Sequence, residues 1–163
     1  MDYDRAAGFI NAKWASDVMP ALTDYITLPC QSPAFDPSWA ENGQLEAGVE
    51  LLADWARTQL AALPGSTVEI VRLAGRTPTL LIETPGVGEP ALIYGHFDKQ
   101  PPMEGWTAGR SAFEPRLEGE RLYGRGGADD GYAMFSAILA LLALADQGLP
   151  APRCIILIEG SEE

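Results

Sequence analysis

The run Ile155-Ile-Leu-Ile158 constrains the fold more than any other part of this chain. Four consecutive large aliphatic side chains cannot alternate between core and solvent. A strand over Arg153–Glu159 is therefore expected to sit centrally and to be covered on both faces, as strands of parallel sheets are. The preceding segment supplies a cover: residues 130–147 read as a strongly apolar helix, ended by Gly148 and Pro150. With a strand at Ala91–Tyr94 upstream, the order strand, helix, strand gives a β-α-β crossover. The expected class is α/β, a mostly parallel central sheet flanked by helices.

The rest of the chain fits around that unit. Phe9, Trp14, Val18, Leu22 and Ile26 recur at helical spacing across 5–28, where Pro20 is expected to kink or break the helix. Pro29, Pro33 and Pro37 mark an irregular connection over Leu28–Gly43. A second helix is expected at 44–62, with Leu45, Val49, Leu52, Trp55 and Leu60 inward, followed by strands at Thr67–Leu73 and Thr79–Glu83. His96–Arg110 reads as a Pro- and Gly-rich loop, and Phe113–Leu117 with Arg121–Tyr123 as a hairpin.

Charge narrows the function. The chain carries 23 acids against 11 Lys and Arg, a net charge of −12. Such a field repels phosphate backbones and anionic lipid surfaces, so neither nucleic acid nor membrane is an expected partner. The longest nearly apolar run, Ala133–Ala145, is too short to span a bilayer. No secretory leader opens the sequence, and Cys30 and Cys154 lack the spacing of a metal site or redox pair. Two free thiols suit a cytoplasmic setting.

Three polar clusters fall where α/β folds place ligands, at strand ends and helix starts. They are Gly95-His96-Phe97-Asp98, Gly126-Gly127-Ala128-Asp129-Asp130 and Glu159-Gly160-Ser161-Glu162-Glu163. If they converge, five carboxylates crowd one histidine, with only Lys99, Arg110 and Arg125 near in sequence to offset them. Such a cluster invites a divalent cation, and imidazole with carboxylates suits zinc, manganese or cobalt. In the H-x-D spacing His96 can bind metal while Asp98 accepts from its other ring nitrogen. Adjacent acids can divide the roles of metal ligand and general base. Taken singly, each cluster also has a plain reading, as loop histidine, helix cap or solvated acids. Gly124-x-Gly126-Gly127 lacks the third glycine and the following Lys-Ser/Thr of phosphate loops.

In order along the chain, Tyr94-Gly-His-Phe-Asp-Lys-Gln-Pro101, Gly105-Trp106, Leu122-Tyr-Gly-Arg-Gly-Gly-Ala-Asp-Asp-Gly131 and Ile158-Glu-Gly-Ser-Glu-Glu163 resemble the M20 metallopeptidase family. That family includes carnosinase-like dipeptidases, glutamate carboxypeptidase, and the succinyl-diaminopimelate and acetylornithine deacylases. The resemblance implies two divalent metals, zinc first, with His96 and Glu163 each a ligand, Asp129 bridging them and the Asp129–Asp130 bond cis. It implies Asp98 as the residue orienting His96, Glu162 as general base, and hydrolysis of a small peptide or N-acyl amino acid. Many members carry Lys after the paired aspartates, where this chain has Gly131.

The resemblance also implies that residues 1–163 are the N-terminal part of a longer catalytic domain. A lid or dimerisation domain and two further ligands, an Asp and a His, would lie elsewhere, in a homodimeric parent. On that reading the 163 residues alone are inactive, Cys154–Ile158 exposes a sheet edge, and Glu163 frays. The alternative is a non-catalytic binding or scaffold protein of the same fold.

Overall fold

The computed structural model describes residues 1–163. The N-terminal segment is a nearly continuous helical rod in three parts: α1 (Tyr3–Lys13), a π-helical turn (Trp14–Val18) and α2 (Met19–Thr27). Asp2 opens it by accepting the Arg5 N–H at 3.0 Å. Pro20 falls in the first turn of α2, where a missing N–H costs little, and the wide π turn before it takes up the change of pitch.

A short helix, α3 (Trp39–Asn42), lies within the Pro-marked connection, and α4 (Gln44–Leu60) follows. Leu45, Val49, Leu52 and Leu60 are buried as their spacing requires. Trp55 meets Phe135 edge-on, ring centroids 4.6 Å apart.

The strands are β1 (Thr67–Val71), β2 (Thr79–Thr84), β3 (Ala91–His96), β4 (Arg116–Glu118), β5 (Arg121–Tyr123) and β6 (Cys154–Glu159). β4 and β5 form a separate hairpin, and the main sheet has the order β1-β2-β6-β3. β6 does lie inside the sheet, and α5 (Tyr132–Asp146) connects the hairpin to it.

The α/β class holds, but the sheet is mixed rather than mostly parallel. Only β3 and β6 run parallel, whereas β1 with β2 and β2 with β6 are antiparallel. The connection 72–78 is too short for a parallel crossover, so β1 and β2 must pair as a hairpin.

Helices α4 and α5 cover one face of this sheet. Leu80, Ile82, Cys154, Ile156 and Ile158 project into that core and are buried. The other face is not covered: Ile155 and Leu157 are half-buried, while Leu92 and Tyr94 are 70% and 53% exposed. The aliphatic run of β6 therefore has one core side only. Nor does β6 expose an edge, because β2 and β3 flank it and the edges are β1 and β3.

Together with its preceding turn, the apolar helix spans Gly127–Asp146, 20 residues, long and apolar enough by composition to cross a membrane. Met134, Phe135, Ile138 and Leu139 of this helix are each at most 1% exposed, packed among α4 and the sheet, which makes it a core helix.

Candidate metal and active site

The parallel pair β3–β6 ends on one side of the sheet, with His96 registered opposite Glu159. The chain leaves β3 through Phe97 and Asp98, and leaves β6 through Gly160 to Glu162 and Glu163. Gly95 lets this end close up. A Cβ there would lie 2.8 Å from Asp130 Oδ2 and 2.9 Å from Ala133 Cβ. Asp129 and Asp130 come from the turn Gly127–Gly131 at the head of α5, where both have non-helical backbone angles, and the peptide bond between them is cis. All three sequence clusters thus meet at one sheet end.

His96 is buried at the centre. Its Nε2 lies 3.3 Å from Asp129 Oδ1 and 3.8 Å from Glu162 Oε2. Its Nδ1 lies 3.1 Å from the Asp98 backbone oxygen and 3.4 Å from Asp98 Oδ1. The second ring nitrogen thus faces Asp98 through both its carbonyl and its carboxylate, and Nε2 is left toward the acids. The contact with Asp98 outweighs burial and raises the imidazole to about 9, with Glu162 adding to the pull.

Asp98 is fully buried. Burial alone would push its carboxyl up. His96 and the backbone N–H groups of Glu162 (3.2 Å) and Glu163 (3.1 Å) reverse this and hold it below the ordinary aspartate range. Burial pushes the neighbouring Asp130 carboxyl up, against the pull of His96. The carboxylates of Asp129 and Glu162 remain largely open, with side chains 62% and 46% exposed.

Glu163 makes three hydrogen bonds to other parts of the chain. Besides its N–H on Asp98, its carboxylate accepts from Gln100 Nε2 at 2.6 Å and its backbone oxygen accepts from Ser32 Oγ at 2.9 Å. Gln100 stands in the motif after β3 and could be suspected from its position. Nothing local singles out Ser32, which arrives from the connection after α2.

Of the cations near in sequence, Arg125 forms no ion pair with these acids, and Lys99 and Arg110 are turned elsewhere. Lys99 is fully buried with its ammonium turned to the end of α2, donating to the backbone oxygens of Leu28 (2.7 Å) and Tyr25 (2.8 Å). It also lies 4.0 Å from the centre of the Tyr25 ring. Arg110 pairs with Glu118 at 2.6 Å and stacks on Tyr123. The Tyr25 hydroxyl donates to the Phe97 backbone oxygen at 2.7 Å, so the helical rod and the site loop are locked together. Gly131 packs on the same ring: a Cβ there would sit 2.3 Å from Tyr25 Cε1.

One ligand atom each from His96, Asp129 and Glu163 lies within 4.8 Å of the others. An imidazole and two carboxylates with no paired Lys or Arg are a donor set that fits a divalent cation of the zinc, manganese or cobalt type. Asp98 and Glu162 stand beside this group, Asp98 behind the imidazole and Glu162 at its open side.

Fold and site together define an α/β domain with a histidine–carboxylate group at the ends of a parallel strand pair. Residues 92–163 match the model described as peptidase family M20/M25/M40, so this segment of the chain is similar to that family. The succinyl-diaminopimelate desuccinylase of Gluconobacter oxydans is 40% identical over 88 residues, which cover 53% of this chain and 22% of that protein. The β-Ala-Xaa dipeptidase of Lactobacillus delbrueckii subsp. lactis is 38% identical over 80 residues, 48% of this chain and 17% of that protein. Among solved structures, human carnosine dipeptidase 1 shares the fold with a TM-score of 0.74 at 20% identity, over 96% of this chain and 34% of that one. The dipeptidase Dug1p of Saccharomyces cerevisiae gives 0.70 at 20% identity, over 98% and 34%. The chain thus spans about a fifth of the length of the curated relatives it matches and about a third of these structures.

Proposed function

We propose that this chain is the N-terminal part of the catalytic domain of a metal-dependent amide hydrolase, which cleaves small peptides or N-acyl amino acids. The observation that carries the reading is the convergence of His96, Asp129 and Glu163 to within 4.8 Å, with Glu162 on the open side. These three residues would hold a divalent cation, zinc by donor chemistry. The further ligands would come from outside residues 1–163. Bound there, the cation supplies Lewis acidity that polarises an amide carbonyl and acidifies water.

The chain's own groups supply the rest. Glu162, half-exposed and facing His96, takes a proton from the attacking water and passes it to the leaving amine. Asp98 holds the imidazole in orientation and at the same time fixes the backbone that carries Glu162 and Glu163. Without the outside ligands, residues 1–163 alone bind metal weakly and do not turn over. Free, buried Cys30 and Cys154 suit a cytoplasmic enzyme.

The test uses the enzyme that carries this segment, with dipeptides and N-succinyl amino acids as substrates. Chelation abolishes hydrolysis and zinc or manganese restores it. Glu162→Gln removes turnover with metal content kept. Hydrolysis that survives chelation, or an active Gln variant, overturns the reading. Saturable substrate binding without turnover would favour a binding protein instead.

A further inference from the structure

The largest cavity of the molecule lies beside the acidic cluster and takes no part in the chemistry above. It encloses about 620 Å³, the size of a small-molecule subsite. Its position follows from topology. β2 runs antiparallel to β6, so β2 begins where β6 ends, and the β1–β2 turn therefore overhangs the sheet end that carries His96 and Glu162. That turn brings Arg76 and Thr77 to one wall, Thr79 follows at the start of β2, and Ser161, directly before Glu162, closes the side toward the site. Trp39, from α3, forms an apolar wall.

Arg76 is the unusual member. Seven of the eleven Lys and Arg residues form ion pairs, Lys99 is spent on helix carbonyls, and of the remaining three (Arg76, Arg121 and Arg125) only Arg76 lines this cavity. Arg76 is exposed, faces a concave surface and has no carboxylate partner. Glu159, on the same wall, already accepts the Tyr94 hydroxyl. A planar guanidinium that shares a cavity with the hydroxyls of Thr77, Thr79 and Ser161 suits a carboxylate in charge and hydrogen-bonding capacity. One cation beside Glu159, in a field of −12, disfavours a phosphate dianion.

We propose that this cavity is a carboxylate subsite in which Arg76, with Thr77, Thr79 and Ser161, holds a free carboxylate of the substrate while its amide bond lies at Glu162. The proposal rests on the hydrolase reading for the word substrate, but the binding itself needs neither metal nor turnover. The substrate carboxylate could belong to the acyl end or to the amino-acid end, and Arg76 selects for it in either case.

The experiment titrates the full 163-residue chain with succinate, with N-acetylglycine and with neutral succinamide. It follows the Trp39 indole N–H resonance, assigned through Trp39→Phe. A saturable shift is expected with one or both acids and none with the diamide, and the tighter acid identifies which end is held. Arg76→Ala weakens binding about ten-fold or more, and Arg76→Lys keeps part of it. No saturable shift with either acid, or equal affinity in Arg76→Ala, overturns the subsite. Carboxylate binding through Arg76 in a protein whose parent enzyme ignores chelation would instead sink the hydrolase reading and leave the subsite standing.

Discussion

Asp98 Oδ2 accepts the backbone N–H of Glu163 at 3.1 Å, joining the loop after β3 to the segment after β6. Its other oxygen does the same for Glu162 at 3.2 Å. One buried carboxylate thus fixes the spacing between the imidazole on one strand and both acids on the next.

Asp98→Asn tests this. An amide has one acceptor oxygen for two N–H donors, and its NH2 group opposes the second. Zinc affinity of the chain is expected to fall by about 10- to 100-fold, and stability by about 1–3 kcal/mol. Calorimetric titration and urea unfolding measure the two losses. Unchanged zinc affinity would remove Asp98 from the positioning of the metal group.

The protonation of His96 gives a pH signature in metal-free protein. Its value rises from 6.5 to about 9 on folding, mainly through Asp98. The stabilisation is therefore complete below about pH 6.5 and is lost as pH rises through about 9. Urea unfolding of the wild type at pH 6 and pH 9.5 should differ, through this group, by about 1–3 kcal/mol. His96→Gln should lack this component, and a variant with the same pH profile as wild type would refute the assignment.

Lys99 acts with the opposite sign. Burial lowers it from 10.5 to about 8, so between those values the unfolded chain binds more protons and this group favours folding increasingly as pH rises. Lys99→Met leaves the Tyr25 and Leu28 carbonyls without their donor and should cost about 2–4 kcal/mol. The gap between wild type and variant should widen from pH 8 to pH 10. A neutral substitution would show that α2 does not depend on this cap.

Gly95→Ala addresses the close approach beneath the site. The added methyl meets Asp130 Oδ2 at 2.8 Å and Ala133 Cβ at 2.9 Å, so α5 must shift or Asp130 must turn. The expected cost is about 1–3 kcal/mol, with weaker zinc binding, read by thermal unfolding and titration. Wild-type behaviour in both would mean that the contact relaxes freely.

Much of this was legible because strand ends and helix starts announce themselves locally. Gly-His-x-Asp after an apolar run, paired aspartates before an apolar helix, and paired glutamates after Ile158 each carry their position within a few residues. The supports were not legible. Ser32 reaches Glu163, and Lys99 reaches the end of α2, through contacts distant in sequence and set by packing. Lys99 reads in the sequence as a counter-ion to the acids, yet the carbonyls of α2 lie closer and leave it no route back. Strand direction is hidden in the sequence for a related reason. An aliphatic run such as Ile155–Ile158 reports hydrophobicity on both faces, whether or not both faces are covered.

The place of β6 between β2 and β3 has a consequence for how the molecule is made. β1 and β2 can pair as soon as they are synthesised, but β3 has no partner in the sheet until Cys154–Glu159 appears about sixty residues later. During that interval His96 has no neighbouring strand, and Leu92 and Tyr94 stand on an unpaired ribbon. The approach of His96 to Glu162 and Glu163 therefore depends on a non-local strand pairing, and a chain paused before residue 154 leaves β3 unpaired.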